Sequence, residues 1–221
     1  MTGPRPPAPG ETAAPRAPAP RRLALTLHAR ARAVPRTLAA LAGTALVAAW
    51  AAYALQSAHR FGDTARIPVV TLAPLLASAA VGTALHSDSD ELDRTAVRPW
   101  WPRRLTLLLL LTGLAAALLT LAVPGEPWVF GAAAMVRNVL GATGVAAASA
   151  ALLGARLSWL PTIVYLSGVY LSAPRTHGGT AALWAWPMQP GPEQGAWWTA
   201  GIAFVCGAAL YAWRGSRPEA R

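Results

Sequence analysis

Two groups of residues in this chain have side chains that could do chemistry. The first is Arg137 beside Asn138 in "MVRNVLGATG", residues 135–144, a guanidinium and a carboxamide in a run otherwise dominated by Ala, Gly, Val and Leu. At apolar depth a cation is tolerated only where it faces protein or water rather than lipid. The second is the cluster "SDSDELDR" at 87–94, in which Asp88, Asp90, Glu91 and Asp93 precede Arg94. Its spacing superficially matches a calcium loop, but Leu92 and Asp93 stand where an oxygen ligand and the turn glycine are required. Calcium is therefore not expected there.

Other chemistries are excluded by residue type. All 19 basic residues are arginine. With no lysine there is neither a Schiff-base amine nor a phosphate-loop lysine, so ATP hydrolysis would have to come from another chain. His28, His59, His86 and His177 are scattered without metal-ligand spacing, and no GxSxG nucleophile elbow occurs. The lone Cys206 cannot form an internal disulfide. No catalytic residue, cofactor site or metal site is expected, and the chain reads as a non-enzyme that does not bind nucleic acid.

The elements that must position these residues follow from composition. At 54% hydrophobic and 13% charged the chain is too apolar for an ordinary soluble domain, in which about a quarter of residues are charged. Residues 1–36 form a Pro- and Arg-rich tail, expected to be disordered over 1–20, where seven prolines leave too little to bury. Leu23, Leu27 and Val34 recur at helical spacing beside arginines, which fits either a short basic interfacial helix or a solvated tail. A helical transmembrane domain follows over 37–213, with spans at 37–56, 67–85, 105–123, 129–155, 157–173 and 197–213, each near the length needed to cross a bilayer. Residues 214–221 are a short tail. "LTLLLLLTGLAAALLTLAV" at 105–123 lacks the alternation of a barrel strand, so the expected fold is an all-α polytopic bundle of about six spans.

Arginine counts orient it. Fifteen arginines fall on the side of the two termini and three on the other, with Arg137 assigned to neither, so both termini are expected in the cytoplasm. Trp100, Trp101, Trp128, Trp159, Trp197, Trp198 and Trp213 all fall at expected span ends, where amphipathic rings sit at the headgroups. None of the nine carboxylates lies within a span, which argues against a proton relay at membrane depth.

Arg137 then has two readings. Arg137 and Arg156 lie about 28 Å apart along a helix, close to the hydrocarbon thickness, so they could bracket the fourth span with Arg137 snorkelling outward. If the helix begins near Trp128 instead, Arg137 lies about 13 Å deep and faces the bundle interior with Asn138, lining a path or an interface. Thr143, Ser149, Tyr165 and Ser167 are the other polar residues offered for convergence inside the bundle. The stretch 86–104, with an acidic start, Arg94, Arg98 and a stop at Pro99, reads as a short charged helix between spans two and three, either a solvated connector or a docking surface.

Six spans with both ends inside, a basic N-terminal helix, a charged inner helix and a long outer segment before the last span resemble permease subunits of six-helix ATP-binding-cassette exporters. "DELDRTAVRP", "RNVLGATGVAAASAALLGARLSWLP" and "WAWPMQPGPEQGAWW" are also similar to actinobacterial integral membrane proteins often called transporter permeases. The resemblance implies a multi-pass protein of the bacterial cytoplasmic membrane, working as a homo- or hetero-dimer with a separate ATP-binding subunit. It also implies that Asp88, Asp90, Glu91, Asp93 and Arg94 dock that subunit. The segment 174–196, rich in Pro and Gly, matches the family's re-entrant outer helices loosely. The function expected is thus a permease-like subunit for ATP-driven export, the alternative being a membrane scaffold without transport.

Overall fold

In the computed structural model the described residues are 34–57, 67–85, 101–123, 130–172 and 178–217, and all regular structure among them is helical. The helices are α1 Val34–Ser57, α2 Ile67–Ala84, α3 Trp101–Ala122, α4 Ala132–Leu153, α5 Trp159–Ser172, the single turn α6 Ala181–Trp184, and α7 Gln194–Arg214. Short 3-10 turns occupy Ala155–Leu157 and Trp186–Met188. Residues 21–33 of the basic helix expected over 21–36, the cluster Asp88, Asp90, Glu91, Asp93 and Arg94, and the last residues of the C-terminal tail lie outside the described residues, while 34–36 begin α1.

Local sequence accounts for the helix starts. Pro35, Pro68 and Pro102 are each the second residue of their helix, where the missing N–H would have had no intrahelical acceptor. α4 ends at Gly154, whose φ of +98° suits a residue without a side chain, and the chain reverses through Ala155–Leu157 directly into α5.

Five helices are long and apolar enough to cross a membrane: α1, α2, α3, α4 and α7. The segment expected to span at 157–173 is the 14-residue α5, about 21 Å long. The Gly154 reversal and the 3-10 turn take up residues that a longer helix would have used. α4 is the central helix, packed against α2, α3, α5 and α7, and its apolar stretch is 67% buried against 17% for the peripheral α1. Outward faces carry large apolar side chains such as Leu46, Trp50, Leu110, Leu171 and Val205. Water does not tolerate so wide an apolar surface, and lipid does.

Where helices touch most closely, side chains are small. α4 and α7 form the most extensive pairing, and at its centre a Cβ on Gly207 would overlap the Gly144 carbonyl, while a Cβ on Gly144 would overlap the backbone at Ala203 and Phe204. Without a hydrophobic drive between helices in lipid, such close contact is what dispersion needs.

The helices alternate in direction, so the bundle has two ends. Arg36, Arg103, Arg104, Arg156, Arg214 and Arg217 belong to helix termini or turns at one, the basic end; the loop joining α5 to α7 lies at the other.

Candidate functional site: a proline-rich loop clamped by Arg137 and Asn138

Arg137 is the sixth residue of α4 and is fully buried, with Asn138 next to it 1% exposed. The structure therefore corrects the bracketing expectation. α4 begins at Ala132 rather than at Arg137, which turns the guanidinium into the bundle instead of out to a headgroup.

What surrounds Arg137 explains why it can stay there. The connection from α5 to α7 folds back between helices instead of lying over them, and Trp186, 2% exposed, rests its ring on Gly141, where any Cβ would overlap it. Gly141 is the tenth residue of α4, so the loop reaches about 13 Å below the start of that helix. Leu75, Ala142, Leu166, Ala196 and Ala200 enclose the indole, and Tyr165 stacks on it at 6.1 Å between centroids.

Backbone that is not helical at such depth must have its polar groups satisfied by protein. Prolines 187 and 190 make that harder, because they supply no N–H of their own. Arg137 donates through Nη2 to the Gln189 carbonyl at 2.6 Å and through Nη1 to the Pro190 carbonyl at 2.7 Å, while its Nε donates to Asn138 Oδ1 at 3.2 Å. Asn138 Nδ2 donates to the Pro187 carbonyl at 2.8 Å and to the Val70 carbonyl at 3.0 Å. Val70 needs this donor because its helical partner four residues on is Pro74, inside α2. One Arg-Asn pair thus serves four carbonyls, one of them stranded by a proline in a neighbouring helix.

The rest of the loop is satisfied in the same way. Tyr165 donates to the Trp184 carbonyl at 2.5 Å and Trp197 Nε1 to the Gly191 carbonyl at 2.8 Å. The Met188 and Gln189 amides close the 3-10 turn on Ala185 and Trp186, and the Gly178 amide donates to Gln189 Oε1 at 2.9 Å. Glu193 is half-buried at the start of α7.

Of the polar residues expected inside the bundle, the structure brings Arg137, Asn138 and Tyr165 together. Thr143 and Ser149 instead donate to carbonyls of their own helix, Val139 and Leu140 for Thr143 and Val145 for Ser149. Gln189, Trp186 and Pro74 are the participants that sequence reasoning missed. The signal was present for two of them, in a polar Gln between prolines in "WAWPMQPGP" and in a proline within an apolar span. Among the described residues no group of three or more His, Cys, Asp or Glu could hold a metal ion.

At the basic end, side chains cap helix C-termini. Tyr211 donates to the Leu85 carbonyl at 3.2 Å, Arg217 donates through its amide to Ala150 and through Nη1 to Leu152, and the Arg104 guanidinium lies beside Gly215 after α7. Cations there complement the negative ends of the helix dipoles.

Fold and site define a helical bundle of membrane-embedded character with a loop sunk into one end. No known family model, curated protein or solved structure matches the chain.

Proposed function

We propose that the chain is the membrane-spanning, permease-like subunit of a transporter of the bacterial cytoplasmic membrane, driven in export by a separate ATPase chain. The observation that carries this reading is the loop 184–191, held at depth by the buried Arg137 and Asn138. Irregular backbone and an intramembrane cation are costly in lipid and mark substrate pathways far more often than inert spans. A protein that only anchors partners needs neither. The ATPase enters through the resemblance of the six-segment plan and of the 86–104 stretch to exporter permeases, and because the lysine-free chain has no phosphate loop. Two such chains, or one with a related chain, would enclose the path with both termini cytoplasmic.

The test is co-purification in mild detergent with the products of neighbouring genes. An ATPase should accompany the chain, and replacing Asp88, Asp90, Glu91 and Asp93 together by Asn or Gln should abolish its retention, since buried interface charge pairs are worth roughly 2 to 5 kcal/mol each. Retention with unchanged affinity at physiological salt would remove those residues from the interface.

A second reading, a membrane scaffold without transport, is favoured by one feature. Arg137 directs its guanidinium wholly to oxygens of its own chain and is fully enclosed. If the chain purifies as a monomer with no ATPase, that reading takes over.

A further inference from the structure

We propose that a groove between α3 and α7 at the basic end holds one anionic phospholipid, with an acyl chain along the helices and the phosphate beside Arg104. The groove has a volume of about 740 Å³ and opens sideways. Leu105 and Leu109 of α3 form one wall and Ala208, Ala209 and Ala212 of α7 the other. The wall is hollow because those α7 positions are alanines; a larger side chain at Ala209 would fill the space.

Chemistry changes along the groove in the order of a phospholipid. Its deep part, toward Leu109, is apolar, and its mouth is flanked by Trp101 and Trp213, 55% and 81% exposed. Aromatic rings of this kind sit at headgroup level. Arg104, 8% exposed, lines the same mouth with its guanidinium against Gly215, and Arg103 and Arg214 are exposed at the adjoining ends of α3 and α7. An apolar slot ending at the Arg104 guanidinium, with two more arginines at the adjoining helix ends, matches an acyl chain attached to a phosphate. It does not match a second copy of this chain. A twofold axis along the membrane normal would set the Arg103, Arg104 and Arg214 groups of both copies at the same level, and like charges brought together oppose association.

Native mass spectrometry of the full chain in detergent micelles, titrated with phosphatidylglycerol or phosphatidylcholine, tests this. One phosphatidylglycerol should be retained per chain, in preference to phosphatidylcholine by roughly fivefold or more. Ala209→Phe changes an exposed position, so it should leave the unfolding temperature unchanged while abolishing retention. Arg104→Gln should keep lipid binding but lower the preference by roughly fivefold. If Arg104→Gln does not fold, the double variant Arg103→Gln, Arg214→Gln should reduce the preference in the same direction. Equal retention of both lipids by the wild type, or undiminished retention by Ala209→Phe, overturns the proposal. So does a lipid-free dimer that Ala209→Phe dissociates, since the occupant would then be a second copy.

Discussion

A buried guanidinium is costly to desolvate, and Arg137 is fully buried. Two opposing effects decide what its loss would do. Replacing a buried charge by a hydrophobe of similar size can be neutral or stabilising when all its partners leave with it. Here the partners are backbone carbonyls of Gln189 and Pro190, which cannot leave. Arg137→Met should therefore destabilise the protein by roughly 2 to 6 kcal/mol, at about 1 to 3 kcal/mol for each acceptor left buried and unpaired. Arg137→Lys should fall between, because a single ammonium lacks the planar fork that spans two carbonyls and the Asn138 oxygen. Denaturant unfolding in micelles reads both, and a Met variant as stable as the wild type would refute the clamp. Asn138 allows a finer check through Pro74. Asn138→Leu strands the Val70 carbonyl, and Pro74→Ala supplies that carbonyl with its missing helical donor. Pro74→Ala should thus be more favourable in the Asn138→Leu background than in the wild type, by about 1 kcal/mol, when the four proteins are compared as a double-mutant cycle.

Among the elements, the α4–α7 contact is where one methyl group matters most. A Cβ on Gly207 meets the Gly144 carbonyl, which is backbone and cannot swing aside. Gly207→Ala should push the helices apart and cost about 1 to 3 kcal/mol, the usual range for overpacking. Gly113 and Gly168 are controls, since a Cβ at either meets nothing within 4 Å. Alanine there should be neutral or stabilising by up to about 1 kcal/mol through helix propensity. If Gly207→Ala matched the controls in thermal unfolding, the close packing would not hold. The same contrast shows what was legible in the sequence. Long apolar runs mark α1, α2, α3, α4 and α7 to within a few residues because length and composition alone set a span. Trp101, Trp159 and Trp213 stand at helix ends as their amphipathic rings require. Which of many glycines meets backbone was not legible, since that depends on a neighbour far along the chain. Nor was the direction of Arg137. A snorkelling arginine and a buried one look alike until the carbonyls that need it, those of Gln189 and Pro190 more than fifty residues away, are known to lie beside it.

For the whole molecule the demanding step is α5. At 14 residues it covers about 21 Å of a hydrocarbon layer of roughly 30 Å, yet it must carry the chain from the basic end, where α4 finishes, to the end where α7 begins. The sunken loop supplies what α5 lacks. Trp184 and Trp186 meet Tyr165 at the middle of the short helix, so protein rather than lipid covers that face, and the Ala155–Leu157 turn extends its basic end. A short helix walled by neighbours can cross with only modest local thinning of the bilayer. The charge distribution requires the same outcome. Arg156 at the α4–α5 turn and Arg214 and Arg217 after α7 share one end of the bundle with Arg36, Arg103 and Arg104, whereas Arg137, at the opposite end, is buried. Positively charged segments resist translocation, so the basic end should face the cytoplasm. With Cys206 replaced by Ala, single cysteines at positions 60, 95, 126, 180 and 216 can be exposed to a membrane-impermeant maleimide in intact cells. Positions 60, 126 and 180 should be labelled, and 95 and 216 only after permeabilisation. Position 180 is decisive. If it is protected, or if 216 is labelled before permeabilisation, the crossing of α5 and the shared end of Arg104, Arg156, Arg214 and Arg217 do not hold in the membrane.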